Sequence, residues 1–102
     1  MKRHVKLTSV IPAPYVSLAN ASLGEALIIS KVVAPTGAPE WAAQLADIGF
    51  LIGERVAIMA HGMPGGDPLV VRVGLSTFAL RLVEAACIHC SRVTPLSLEA
   101  KR

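Results

Sequence analysis

With 102 residues the chain has room for one domain and one modest core, and 53% of it is hydrophobic although aromatic residues make up only 4%. The formal charge is +3, and basic residues cluster only at the ends, as Lys2, Arg3 and Lys6 and as Lys101 and Arg102. That pattern argues against nucleic-acid binding, which uses a basic stripe with stacking aromatics, and no apolar run approaches the roughly 20 residues of a membrane-spanning helix.

Residues 1–22 read as a loosely ordered N-terminal extension. Its stretch between the basic start and Ala19-Asn20-Ala21 is broken by Thr8, Ser9, Pro12 and Pro14, so a secretory leader is not expected. Regularity begins at the turn Ser22-Leu23-Gly24-Glu25. Ala26-Leu27-Ile28-Ile29 then makes a strand that Val32 and Val33 continue past a bulge at Ser30-Lys31. Pro39 suits the first turn of a helix, because its missing N–H costs nothing there. Trp41, Leu45 and Ile48 fall on one apolar face, and Gly49 is placed as the left-handed residue that stops the helix.

After Gly53 the hydrophobic period changes from helical to alternating. Val56, Ile58 and Ala60 are expected to face inward, with Arg55, Ala57, Met59 and His61 outward. The link Met63-Pro64-Gly65-Gly66-Asp67-Pro68 leads to a strand with Leu69, Val71 and Val73 on one side. Asp67 is expected to order its own turn. A bend at Gly74, a strand from Thr77 to Leu82, one helical turn at Glu84-Ala85-Ala86 and a last strand with Ile88 and Cys90 complete the series. Five short strands and one main helix predict a mainly β fold, a small barrel whose closure removes exposed edges.

Leu45 with Ile48-Gly49-Phe50 and Gly53, then Gly66-Asp67-Pro68, Gly74, Ala79-Leu80-Arg81, Glu84-Ala85 and Ile88 occur together in an order and spacing that resembles the FeoA family. Ala43-Gln44 departs from it where members often carry a basic residue. The resemblance implies an SH3-like barrel over residues 23–93, with a short C-terminal helical turn and a tail at 94–102. It implies a cytoplasmic accessory protein of ferrous iron transport that binds the cytosolic part of the transporter FeoB at the inner face of the membrane. Without a DNA-reading element before the barrel, the chain is more like the free-standing form than the repressor-borne module.

His4, His61 and His89 have no motif partner for nucleophilic catalysis, so no enzyme is expected. Gly65-Gly66 lacks the spacing and the Lys-Ser/Thr pair of a phosphate loop. The resemblance implies core positions at Ile88 and Cys90; by strand alternation Cys87 and His89 then share the outward face, which disfavours a Cys87–Cys90 disulfide. Cys87 and His89, with His61 or another chain, are then the candidate ligands for a divalent transition metal, iron or zinc. No cofactor is required, and a metal-responsive barrel whose association is regulated by the ion is the alternative function. Candidate partner contacts are Phe50, Leu51 and Ile52 at the helix exit, the outward Met59 and Val70, and Arg81, which is also placed to pair with Glu84 or Glu54. An apolar barrel edge is compatible with a homodimer, and neither nucleic acid nor direct membrane insertion is expected.

Overall fold

A computed structural model describes residues 14–93. Its elements are β1 (Tyr15–Ser17), a 3-10 turn (Leu18–Asn20), β2 (Leu27–Val32), α1 (Glu40–Asp47), β3 (Arg55–His61), β4 (Leu69–Val73), β5 (Ser76–Leu80), α2 (Leu82–Ala85) and β6 (Ile88–Arg92). The strands form one antiparallel sheet in the order β1-β6-β2-β3-β4-β5. The 3-10 turn after β1 touches α2 after β5, so short helical pieces bridge the two ends of the curled sheet. Inside lie Leu18, Leu27, Ile29, Phe50, Val56, Ile58, Leu69, Val71, Ile88 and Cys90, mostly alternate residues of the strands, as period-two burial requires.

Three expectations need correction here. Residues 15–21 are not a loose extension: Tyr15, Val16 and Ser17 pair with Ser91, Cys90 and His89, and Leu18 is fully buried. Residues 1–13 and 94–102 lie outside the described residues. Ala60 faces solvent instead of the core, because the β3–β4 register slips between Ile58 and Ala60 and the alternation changes phase there. Ile48, placed on the apolar helix face by its spacing, is instead the exposed cap residue beyond the last helical turn. The bulge expected near Ser30-Lys31 is present as a register shift between Ile29 and Lys31.

The exit from α1 determines what the surface displays. Gly49 has a φ of +120°, its N–H donates to the Ala46 carbonyl, and the Phe50 N–H donates to the Leu45 carbonyl at 3.0 Å. This is the double bond pattern of a glycine-stopped helix, and it is accompanied by an apolar contact between the residue after the glycine and the last helical turn. Phe50 is therefore turned inward with Leu45, and its ring lies 5.9 Å from that of Phe78.

Candidate functional site

The three apolar residues Phe50, Leu51 and Ile52 separate by a simple geometric cause. Phe50 is only 1% exposed, which corrects its assignment as a partner contact. Leu51 and Ile52 begin a four-residue turn closed by the Glu54 N–H on the Leu51 carbonyl at 3.0 Å, with Gly53 at φ +94° in the third position. That position demands positive φ in such a turn, and glycine supplies it without steric cost. The turn is clamped to β2 by two further bonds, Gly53 N–H to the Ile29 carbonyl at 2.8 Å and Ile29 N–H to the Glu54 carbonyl at 3.0 Å. Ile52 is thus held 73% exposed on a braced tip, and Leu51 is half-exposed beside it.

Leu51 and Ile52, with Val32, Ala42, Ala46 and Phe50, line a shallow apolar groove along one flank of α1. A second apolar groove is lined by Trp41 together with Val33, Ala34, Pro35, Val83, Ala86 and Cys87. Sequence reasoning missed this second groove, because its walls come from the loop after β2, from α1 and from α2 with the residues that follow it, and share no local signal. The exposure of Val83 on α2 and of Val33 after β2 is visible only once these elements meet.

Arg81 stands over Trp41, beside the recess that Trp41 shares with Gln44, Leu45, Ile48 and Glu84. Its guanidinium lies 5.6 Å from the centre of the Trp41 ring and 3.1 Å from Glu84, as expected for the Glu84 partner and not Glu54. Arg81 is the cap residue of α2, and its side chain has no acceptor to offer the helix N–H groups. Asp67 supplies one from the β3–β4 link, accepting the Leu82 N–H at 3.0 Å, so it ties the link to α2 instead of ordering only its own turn. Glu84 accepts the Arg81 N–H at 2.8 Å. The hydrogen bond to Arg81 holds the Glu84 carboxyl below its usual range, and the reciprocal bond raises Arg81.

Met59 and Val70 lie elsewhere. Val70 pairs with Ala60 and Ala79, and Met59 is half-exposed in the bulge of β3, toward the strand end far from the 51–54 turn. The predicted partner contacts therefore form separate patches and not one surface.

The metal candidates do not converge. Cys87 is not on the outward face of a strand: β6 starts one residue later, at Ile88, and period-two alternation does not extend to Cys87. Its side chain is 5% exposed, and its thiol lies 3.5 Å from the Val83 carbonyl. Burial first and then the charge of Glu84 push this thiol up, whereas a metal ligand must be a thiolate. Cys90 is fully buried, and burial followed by Glu25 pushes it up to about 11. Both cysteines are free thiols. His89 sits half-buried on the outer face of β6 near Tyr15, Ser30 and Lys31. β2 meets the start of β3 at Val56 and Arg55, so β3 carries His61 away from the Lys31 end where His89 pairs. Among the described residues no three His, Cys, Asp or Glu side chains are grouped to hold an ion. The residues therefore do not fit a single intrachain metal centre.

The FeoA domain model matches residues 16–92. Among solved structures, the chain is similar to Stenotrophomonas maltophilia FeoA complexed with zinc, described as a prokaryotic SH3 domain protein. It is 34% identical to that protein, with a TM-score of 0.64 over 72% of this chain and 86% of the other. It is also similar to iron(II) transport protein A from Clostridium thermocellum, at 28% identity and a TM-score of 0.65, covering 76% of this chain and 46% of that one. A manganese-dependent transcriptional repressor shares the fold, at 18% identity and a TM-score of 0.67 over 80% of this chain and 44% of the repressor. A search of curated protein sequences found no match.

Proposed function

The chain belongs to the FeoA family, and we propose that it acts without catalysis, docking on the cytosolic part of a FeoB-like ferrous iron transporter and shifting that transporter between conformations. The family match across 16–92 supports the link to ferrous iron transport. The single structural observation that supports docking is the braced apolar tip. Two backbone bonds to Ile29 hold Leu51 and Ile52 against solvent, in a conformation that needs little ordering on association. Such a tip inserts into an apolar recess of a partner, while Arg81, exposed over Trp41, adds a charged rim contact that tunes recognition.

For docking to regulate transport, the chain must bind one transporter state more tightly than the other; equal affinity for both shifts nothing. In this reading the protein is cytoplasmic and reaches the membrane only through its partner. No helix among the described residues is long and apolar enough to cross a bilayer. The test is ferrous iron uptake in cells lacking the gene, complemented either with the wild-type chain or with the Ile52→Asp variant. Restored uptake with the wild type alone is expected. Uptake unaffected by deletion would refute a role in transport, and full restoration by Ile52→Asp would refute the tip as the docking element.

A further inference from the structure

We propose that the outer face of β3 and β4 carries a separate binding site, a carboxylate cradle in which Arg55 and Arg72 hold an acidic side chain from an extended segment of a partner protein. The register places Arg72 opposite Ala57, two residues along β3 from Arg55. The two arginines are thus diagonal neighbours on one face, at the roughly 7–8 Å Cα spacing of such pairs. Both are exposed, and among the described residues neither forms an ion pair with a carboxylate. Between them is a concavity of about 220 Å³ whose wall includes Ala26, Ala57 and Gly74. These small residues leave space beneath two guanidinium groups, and each group offers a planar fork that matches a carboxylate.

The position of Glu54 limits where the anion can sit. Its carboxylate packs over Gly74, 3.3 Å from where a side-chain carbon there would lie, so it guards that end of the concavity. An incoming carboxylate is repelled from the Gly74 end and settles between the arginines, whose mutual repulsion it relieves. The apolar floor suits the methylene groups of a glutamate. Nucleic acid fits less well, since two charges make a short phosphate track and no aromatic ring lines the cleft. This site does not depend on the transporter reading above.

The test is a titration of the isotopically labelled full chain followed by backbone amide shifts. The probe is a blocked Gly-Glu-Glu-Gly peptide, run beside its Gln-Gln counterpart, inorganic phosphate and a short single-stranded oligonucleotide. Saturable shifts at Arg55, Ala57, Arg72 and Gly74 are expected with the Glu peptide and not with the Gln peptide. The double variant Arg55→Gln/Arg72→Gln is expected to weaken binding at least tenfold while distant amides stay in place, and Glu54→Gln to strengthen it severalfold. The absence of localised shifts, or binding that survives the double variant, overturns the site. Tighter binding of phosphate or the oligonucleotide at the same residues overturns the peptide assignment.

Discussion

Replacing Ile52 should separate binding from folding. Its side chain is 73% exposed, so the folded domain gains little from it, whereas Phe50, two residues earlier, is 1% exposed. Fully burying an isoleucine is worth about 1.5–3 kcal/mol. The fraction already buried in the domain then contributes at most about 0.8 kcal/mol. The exposed fraction, if covered by the partner, contributes about 1.1–2.2 kcal/mol, which is roughly a 6- to 40-fold change in Kd. Ile52→Ala should therefore weaken binding to the solubilised transporter by that factor, as measured by calorimetry or surface-immobilised titration, and leave urea unfolding nearly unchanged. Phe50→Ala should instead cost about 3–5 kcal/mol of stability, as core phenylalanines do. The reasoning is refuted if Ile52→Ala unfolds the domain as Phe50→Ala does, or if it leaves Kd unchanged.

Further outcomes follow from other contacts. A methyl group at Gly62 would lie 2.6 Å from the Pro68 carbonyl oxygen, which also accepts the Gly62 N–H at 2.7 Å. Gly62→Ala is thus expected to cost about 1–3 kcal/mol and to lower Tm by roughly 4–8 °C per kcal/mol, with an unchanged melting curve as the contrary result. The folded Glu84 carboxyl is held below its usual value of 4.5, chiefly by its bond to Arg81. Its stabilising contribution is complete above the unfolded value and is lost as pH falls through the lower folded value. Urea midpoints measured between pH 6 and pH 3 should accordingly fall less steeply in Glu84→Gln than in wild type, and parallel curves would contradict the pairing. Cys87 at 5% exposure and Cys90 at 0%, both with raised thiols, should react with a maleimide far more slowly in the native than in the unfolded chain. Cys87 should be the first to react, and a faster Cys90 would show that the burial order is wrong.

The helix and its stop were legible in the sequence because their determinants are local. Pro39 precedes the first turn, Leu45 lies at core spacing, and Gly49 supplies the positive φ that ends α1. The bulge in β2 was legible for the same reason, as a polar pair interrupting an apolar strand. What was missed depends on distant partners. Tyr15–Ser17 is three residues long and sits beside prolines, and only its pairing with β6 identifies it as a strand. Asp67 carries a turn signature, but the N–H it accepts belongs to Leu82, across the fold. Strand alternation from Cys90 puts Cys87 on the outward face, but the strand begins at Ile88 and the alternation stops one residue short of Cys87. Of the candidate surface, the exposure of Leu51, Ile52 and Met59 could be read from three consecutive apolar residues and an alternating strand. The groove of Val33, Pro35, Trp41 and Val83 could not, since it exists only where three segments meet.

Co-isolation with the transporter tests the central claim most directly. The tagged chain, mixed with the detergent-solubilised FeoB-like protein of the same cell, is predicted to retain it saturably at equimolar ratio, with retention weakened by Ile52→Asp and unchanged by Lys31→Gln. Failure of the wild-type chain to retain the transporter, or equal retention by Ile52→Asp, would contradict docking through the braced tip.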